Sequence, residues 1–193
     1  MLADLVRKNR SYRRFDSSVS VPAEMLMGLV ELARLCPSSR NQQALKFILV
    51  NDTDRCALIF RTLAWAGYLK DWPGPDENER PTGYVVILGD TRLASKFDID
   101  LGIVAQTMIL GAVEHGFGGC MFSSIKREEL RNLFSIPDFF EILLVLAVGK
   151  PVETVVIDEM TDGDIRYWRD ENQVHHVPKR ILANLIVNPG RGE

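Results

Sequence analysis

Arg10, Arg13 and Arg14 crowd together in the run Arg10-Ser11-Tyr12-Arg13-Arg14, with a hydroxyl between them. Forked guanidinium donors beside a hydroxyl suit a dianionic phosphate, because bidentate contacts fix charge and orientation together. Judged alone, the same run is also a solvated basic patch. A second segment, Pro37-Ser38-Ser39-Arg40-Asn41-Gln42-Gln43, concentrates small hydroxyls and amides. Such groups hydrogen-bond the polar rim of a flat heterocycle without adding charge, although an ordinary polar turn has the same composition. Near the other end, Lys179 and Arg180 follow Pro178 at an expected helix start. The helix dipole disfavours cations there unless an anion offsets them, and a phosphate shared with the arginines would do so.

Other chemistries lack their residue patterns. Gly116-Phe117-Gly118-Gly119 follows an expected helix and precedes a strand-like segment, the reverse of the strand-turn-helix setting of a dinucleotide fingerprint. His175 and His176 are adjacent on an extended segment, so their side chains point to opposite sides, and nothing nearby completes a metal-ligand set. Asp158, Glu159, Asp162 and Asp164 lack the order of a calcium loop. No Gly-x-Ser-x-Gly element or Cys-His pair marks a nucleophile. Trp65, Tyr68, Lys70 and Trp72 are read as packing residues first and as a substrate wall second.

Composition sets the frame for these segments. The chain of 193 residues is 46% hydrophobic and 25% charged, ordinary values for one globular domain spanning 1–193. A net charge of -3 leaves no overall positive field for nucleic acid or an anionic membrane, so any anion site is local. Three scattered cysteines, Cys36, Cys56 and Cys120, are read as reduced core residues. The N-terminal segment given lacks the apolar core of a secretory signal, and the apolar stretch from Leu101 to Val113 is too short to span a membrane, so a cytoplasmic location is the expectation.

The elements that must position the candidate residues follow from periodicity. Leu2, Leu5 and Val6 predict a short helix leading into the basic run. Pro22 opens a second helix with an apolar face of Met25, Leu26, Leu29, Val30 and Ala33, ending before Cys36-Pro37. Strands are expected at Phe47–Val50, Tyr84–Gly89 and Glu141–Val148, and helices at Thr53–Tyr68, Ile99–His115, Lys126–Phe134 and Pro178–Leu185. Ile99–His115 is apolar on nearly every side, which predicts a central buried helix. Asp71–Gly83, rich in proline and acids, is expected to be a mobile surface loop and a potential lid. The sum is an α+β domain with one sheet and several helices.

Taken in order, these segments resemble the nitroreductase family over essentially the whole chain. Asn9-Arg10-Ser11-Tyr12-Arg13 is similar to the family's phosphate motif, Pro37 to Gln43 to its Pro-Ser-x-x-Asn-x-Gln-like loop, and Gly118-Gly119-Cys120-Met121-Phe122-Ser123-Ser124 to the segment whose backbone faces the flavin. Asn9 stands where many relatives carry arginine, and Ala44-Leu45 where many carry Pro-Trp. The resemblance implies a central, mainly antiparallel sheet surrounded by helices in an intertwined homodimer. It implies FMN held at the interface by Arg10, Ser11, Arg13, Pro37, Ser38, Ser39, Asn41, Met121, Phe122, Ser123, Lys179 and Arg180, with the first group and the Pro37 loop from different subunits.

The same resemblance implies hydride transfer from NADH or NADPH through the flavin to a small electron-poor acceptor, a nitroaromatic or quinone, by a ping-pong cycle. The protein then needs no catalytic side chain of its own, since its task is to orient the flavin and stabilise the charge of its reduced form. Rival readings are a dehalogenase or flavin-fragmenting enzyme on the same fold, a flavin store or sensor without turnover, and a flavin-free module that docks its arginines on an acidic partner.

Overall fold

The computed structural model describes residues 1–187 and has the expected α+β character. Contacts divide the chain into two compact units, Met1–Trp65 with Pro73–Val152, and Ala66–Trp72 with the segment from Glu153 onward. Among the described residues no helix is long and apolar enough to cross a membrane.

The first unit carries helices α1 (Leu2–Lys8), α2 (Ala23–Arg34), α3 (Thr53–Arg61), α4 (Asp98–Glu114) and α5 (Arg127–Phe134). Its strands are β1 (Phe15–Asp16), β2 (Leu45–Val50), β3 (Gly83–Asp90), β4 (Gly118–Phe122) and β5 (Phe140–Pro151). They form an antiparallel sheet in the order β1-β5-β3-β2, with β4 also paired to β5. Every residue of β3 is buried, as suits a strand enclosed between neighbours and covered on its faces. Leu26, Leu29 and Ala33 of α2 and Val104, Ala105, Met108 and Ile109 of α4 pack with Val85, Ile87, Leu146 and Val148 into the main core. Pro22 caps α2, and α3 opens on Asp52, whose carboxylate accepts the Arg55 N–H at 2.9 Å.

The second unit holds β6 (Val155–Glu159), β7 (Trp168–Arg169) and β8 (His175–Lys179) in the order β6-β8-β7. Arg169 ties it together: its Nη2 donates to Glu153 at 2.6 Å in a buried ion pair, and its guanidinium lies 4.1 Å from the centre of the Trp72 ring. His176 stacks on Trp168 and sits 2.8 Å from Asp158 through Nδ1.

Four expectations are corrected. The strands form two sheets, one in each unit, where a single sheet was expected: residues 155–179, which carry little apolar periodicity, pair among themselves. The helix from Thr53 stops at Arg61, because the Thr62 hydroxyl bonds back to the Ile59 carbonyl and the chain then pairs with the segment after β4, Leu63 bridging Ile125 and Ala64 donating to Ser124 O. No helix starts at Pro178: Pro178 and Lys179 belong to β8, and a 3-10 turn covers Leu182–Leu185. Parallel pairing with β6 overrides the proline signal there, and β7 pairs β8 only at His175 and His176, so β8 tolerates the missing N–H of Pro178. Helix α4 is not buried all round, since Ile99 is 71% exposed on the face opposite Val104 and Met108. Within the loop at Asp71–Gly83, Gly74, Pro75 and Pro81 are buried, and the 3-10 turn at Glu77–Glu79 is held through the Glu79–Arg14 ion pair.

Candidate functional site

The basic run leaves α1 extended and lies along β4. Ser11 forms a parallel bridge with Gly119, and Tyr12 N donates to Gly119 O at 3.1 Å. Glycine is required at this junction. A Cβ at Gly118 would lie 2.6 Å from the Tyr12 ring, and one at Gly119 would lie 2.4 Å from the Ala147 carbonyl oxygen. The run and the glycine turn, distant in sequence, are thus one structural piece.

Within that piece the arginines differ. Arg14 donates from Nε to Glu79 Oε2 at 2.7 Å and from Nη2 to the other oxygen, a half-buried bidentate pair that fastens residues 77–79 to the run. Arg13 Nη1 reaches Ser11 O at 3.3 Å. Arg10 donates Nη2 to Val6 O, while its Nε is buried with no partner within the described chain. A guanidinium with a buried donor unspent is a group waiting for an acceptor.

Strand β4 is paired with β5 on one edge, and Ser11 occupies only the Gly119 position of the other. Alternation along the strand turns Met121 N–H to the same edge as Gly119, where no strand pairs with it among the described residues. Met121 is exposed, and Phe122 points inward against Trp65, with ring centres 4.6 Å apart. Ser123 is exposed, and its carbonyl is fixed by Arg127 Nη2 at 3.2 Å. Arg127 also donates to Ile142 O at 2.9 Å, so it sets the exit of β4 against β5.

The Pro37–Gln43 loop is built on α4. Ser39 donates from both its N–H, at 2.9 Å, and its hydroxyl, at 2.7 Å, to the buried Asp100 carboxylate. Ser38 Oγ accepts Gln43 N–H at 3.2 Å. Arg40, Asn41 and Gln43 all hold left-handed backbone, at φ of 53°, 57° and 51°. Such conformations are costly for residues with a side chain and mark a loop held for a purpose. A cavity of about 270 Å³ lies behind it, lined by Pro37, Ser38, Ala44, Phe47, Asp100 and Val104.

The structure therefore joins Arg10, Ser11 and Arg13 to the β4 segment that carries Met121 and Phe122, and it anchors Pro37, Ser38, Ser39 and Asn41 separately on α4. Lys179 and Arg180 are exposed and lie in the second unit. Asp100 and Arg127 escaped the sequence reading; a carboxylate set between Ile99 and Leu101 at the start of the apolar pattern of α4 was the available signal for the first. Trp65 is confirmed as a packing residue.

An α+β fold that pins a basic segment beside a glycine-opened, half-unpaired strand defines a class of protein that presents cationic donors next to a flat backbone edge. The model of the nitroreductase family matches residues 6–73 and 75–150, and the chain belongs to that family of oxidoreductases. It is 24% identical over 168 residues to an iodotyrosine deiodinase of Thermotoga neapolitana, a match covering 78% of this chain and 89% of that protein. It is 22% identical to a protein of Methanothermobacter thermautotrophicus named as an NADH dehydrogenase/NAD(P)H nitroreductase, over 83% of each chain. Its fold is similar to that of an FMN-dependent nitroreductase from Clostridium difficile R20291, with a TM-score of 0.64, 20% identity, and coverage of 89% of this chain and 94% of that one.

Proposed function

We propose that this protein is an FMN-dependent oxidoreductase that draws electrons from NADH or NADPH and delivers them to a small electron-poor acceptor, a nitroaromatic or quinone. The observation that supports this reading is the buried Nε of Arg10, which has no partner within the described chain, on the run whose Ser11 bridges Gly119 of β4. The residues fit FMN. Arg10, Ser11 and Arg13 would hold its phosphate, the N–H groups of the Met121–Ser123 edge would meet the ring, and Ser38, Ser39 and Asn41 would bond its polar rim. Bound FMN supplies hydride acceptance and onward electron transfer.

The chain's own work is binding and orientation. Arg127 holds the exit of β4 so that the edge stays flat, and Asp100 holds Ser39 so that the loop keeps its left-handed turns. Cationic donors near the ring would also favour the reduced, more negative flavin. The partner is a second copy of the chain: Leu2, Val6, Ile99 and Ile103 leave apolar surface uncovered on the adjoining helices α1 and α4. The deiodinase relative supports a second acceptor class, halogenated phenols, at the same site.

The visible spectrum of the purified protein before and after anaerobic NADH or NADPH tests the proposal. Flavin bands that bleach on donor addition and return with an acceptor are expected. A protein that neither carries nor takes up FMN refutes the reading, and a bound flavin that no donor bleaches leaves a flavin store in its place.

A further inference from the structure

A second cavity, of about 250 Å³, opens in the first unit between α3 and the start of β3 and shares no residue with the site above. Its walls include Ser17, Thr53, Phe60, Glu77, Arg80 and Tyr84. Two polar groups here are buried and have no hydrogen-bond partner within the described chain, the Tyr84 hydroxyl and Arg80 Nε. Tyr84 is 0% exposed. Native proteins pair nearly all such groups, so two orphans at one cavity indicate a missing acceptor.

The electrostatics specify what that acceptor carries. Arg80 lies 4.3 Å above the Phe60 ring and pairs with no carboxylate among the described residues. Burial pushes the Tyr84 phenol far up, so it stays protonated and can only improve its position by donating. Cys56, also in the wall, is pushed up to about 12 by burial and by Asp52, so it brings no competing negative charge at neutral pH. Two donors of this kind converge on an oxyanion. Glu77 is the one carboxylate in the lining, which disfavours a dianion such as phosphate. Phe60, Ala57 and Pro81 supply apolar surface for a flat body.

We propose that this cavity is a binding site for a small aromatic monocarboxylate, its carboxylate held by Arg80 and Tyr84 and its ring packed by Phe60. The site is independent of the flavin reading, since none of its residues belongs to the flavin set.

Titration of the purified protein with benzoate, benzamide and inorganic phosphate, followed by calorimetry and by melting temperature, tests this. Benzoate is expected to bind and to raise the melting temperature, whereas neutral benzamide and phosphate are not. Arg80→Met and Tyr84→Phe should each weaken benzoate binding about ten-fold or more, the loss of a charge-assisted contact, without changing flavin absorbance. Tyr84→Phe removes an unpaired hydroxyl and should leave the ligand-free melting temperature unchanged or higher, which keeps the test valid if Arg80→Met folds poorly. The proposal is overturned if benzoate has no effect, if benzamide or phosphate matches it, or if its binding perturbs the flavin spectrum and survives both substitutions.

Discussion

Arg10 and Arg14 stand four residues apart and have the same chemistry, yet their surroundings give them opposite roles. Arg14 spends both arms of its fork on Glu79, whereas Arg10 keeps a buried Nε unspent. Arg10→Ala should therefore weaken FMN binding by about ten- to a hundred-fold, the value of a charge-assisted contact, with little change in melting temperature. Arg14→Ala should do the reverse, costing about 1 to 2 kcal/mol, between an exposed and a buried ion pair, with flavin affinity nearly kept. Flavin titration and thermal unfolding on the two variants separate the roles, and equal effects on both would contradict them. Residue type made the run legible as an anion site. Which arginine is free was not legible, because Glu79 is 65 positions away from Arg14 and nothing local names it as a partner. Cys56 makes a further residue-scale prediction. Its thiol, raised from 9.0 to about 12, keeps its proton in the folded state where the unfolded chain loses it. Stability is thus fully retained below pH 9 and falls as pH rises towards 12. Alkylation with iodoacetamide at pH 8 should spare Cys56 in the native protein and label it after unfolding; native labelling of Cys56 would contradict its burial.

At the scale of elements, the site depends on β4 meeting both β5 and the basic run at one place. Gly119→Ala puts a methyl group 2.4 Å from Ala147 O, so either β4 must move from β5 or the bridge to Ser11 must open. A loss of about 1 to 3 kcal/mol is expected for such overpacking, together with loss of flavin, because the displaced strand edge carries the proposed contacts. Denaturant unfolding and flavin content measure both, and a stable variant with full flavin would show that the junction is not what shapes the site. The elements themselves were largely readable. The apolar strands at Phe47, Tyr84 and Glu141 and the helices after Pro22 and before His115 all lie where composition and periodicity put them. The failures share a cause. The helix from Thr53 and the one expected at Pro178 carried good local signals, but pairing with distant segments, Ser124 and Ile125 in one case and Val155 to Glu159 in the other, outweighed them. The left-handed turns of the Pro37 loop were equally hidden, since their support comes from Asp100 on α4.

For the whole molecule, the decisive question is whether one chain can complete the site. Helix α4 reads as a helix to be enclosed, yet in a single chain Ile99 is 71% and Ile103 36% exposed, with Leu2 and Val6 of α1 also uncovered. A second copy laid on that face would account for the apolar pattern that one chain leaves unused. In the shared site proposed, one chain's Pro37–Gln43 loop faces the other chain's basic run. This arrangement has a consequence that no single-chain site shares. Arg10→Ala and Asn41→Ala should each lose flavin as homodimers. When the two variants are mixed and allowed to exchange subunits, every mixed dimer would pair the intact Arg10 of one chain with the intact loop of the other. One of its two sites is then whole and the other doubly impaired. Equal mixing with random exchange should restore about a quarter of the wild-type flavin sites, half of the dimers being mixed and half of their sites complete. Ile103→Lys in both variants should abolish the rescue by keeping the chains apart. If flavin binding does not recover on mixing, although exchange is verified by mass, each chain supplies both halves of its own site and the shared-site arrangement is wrong.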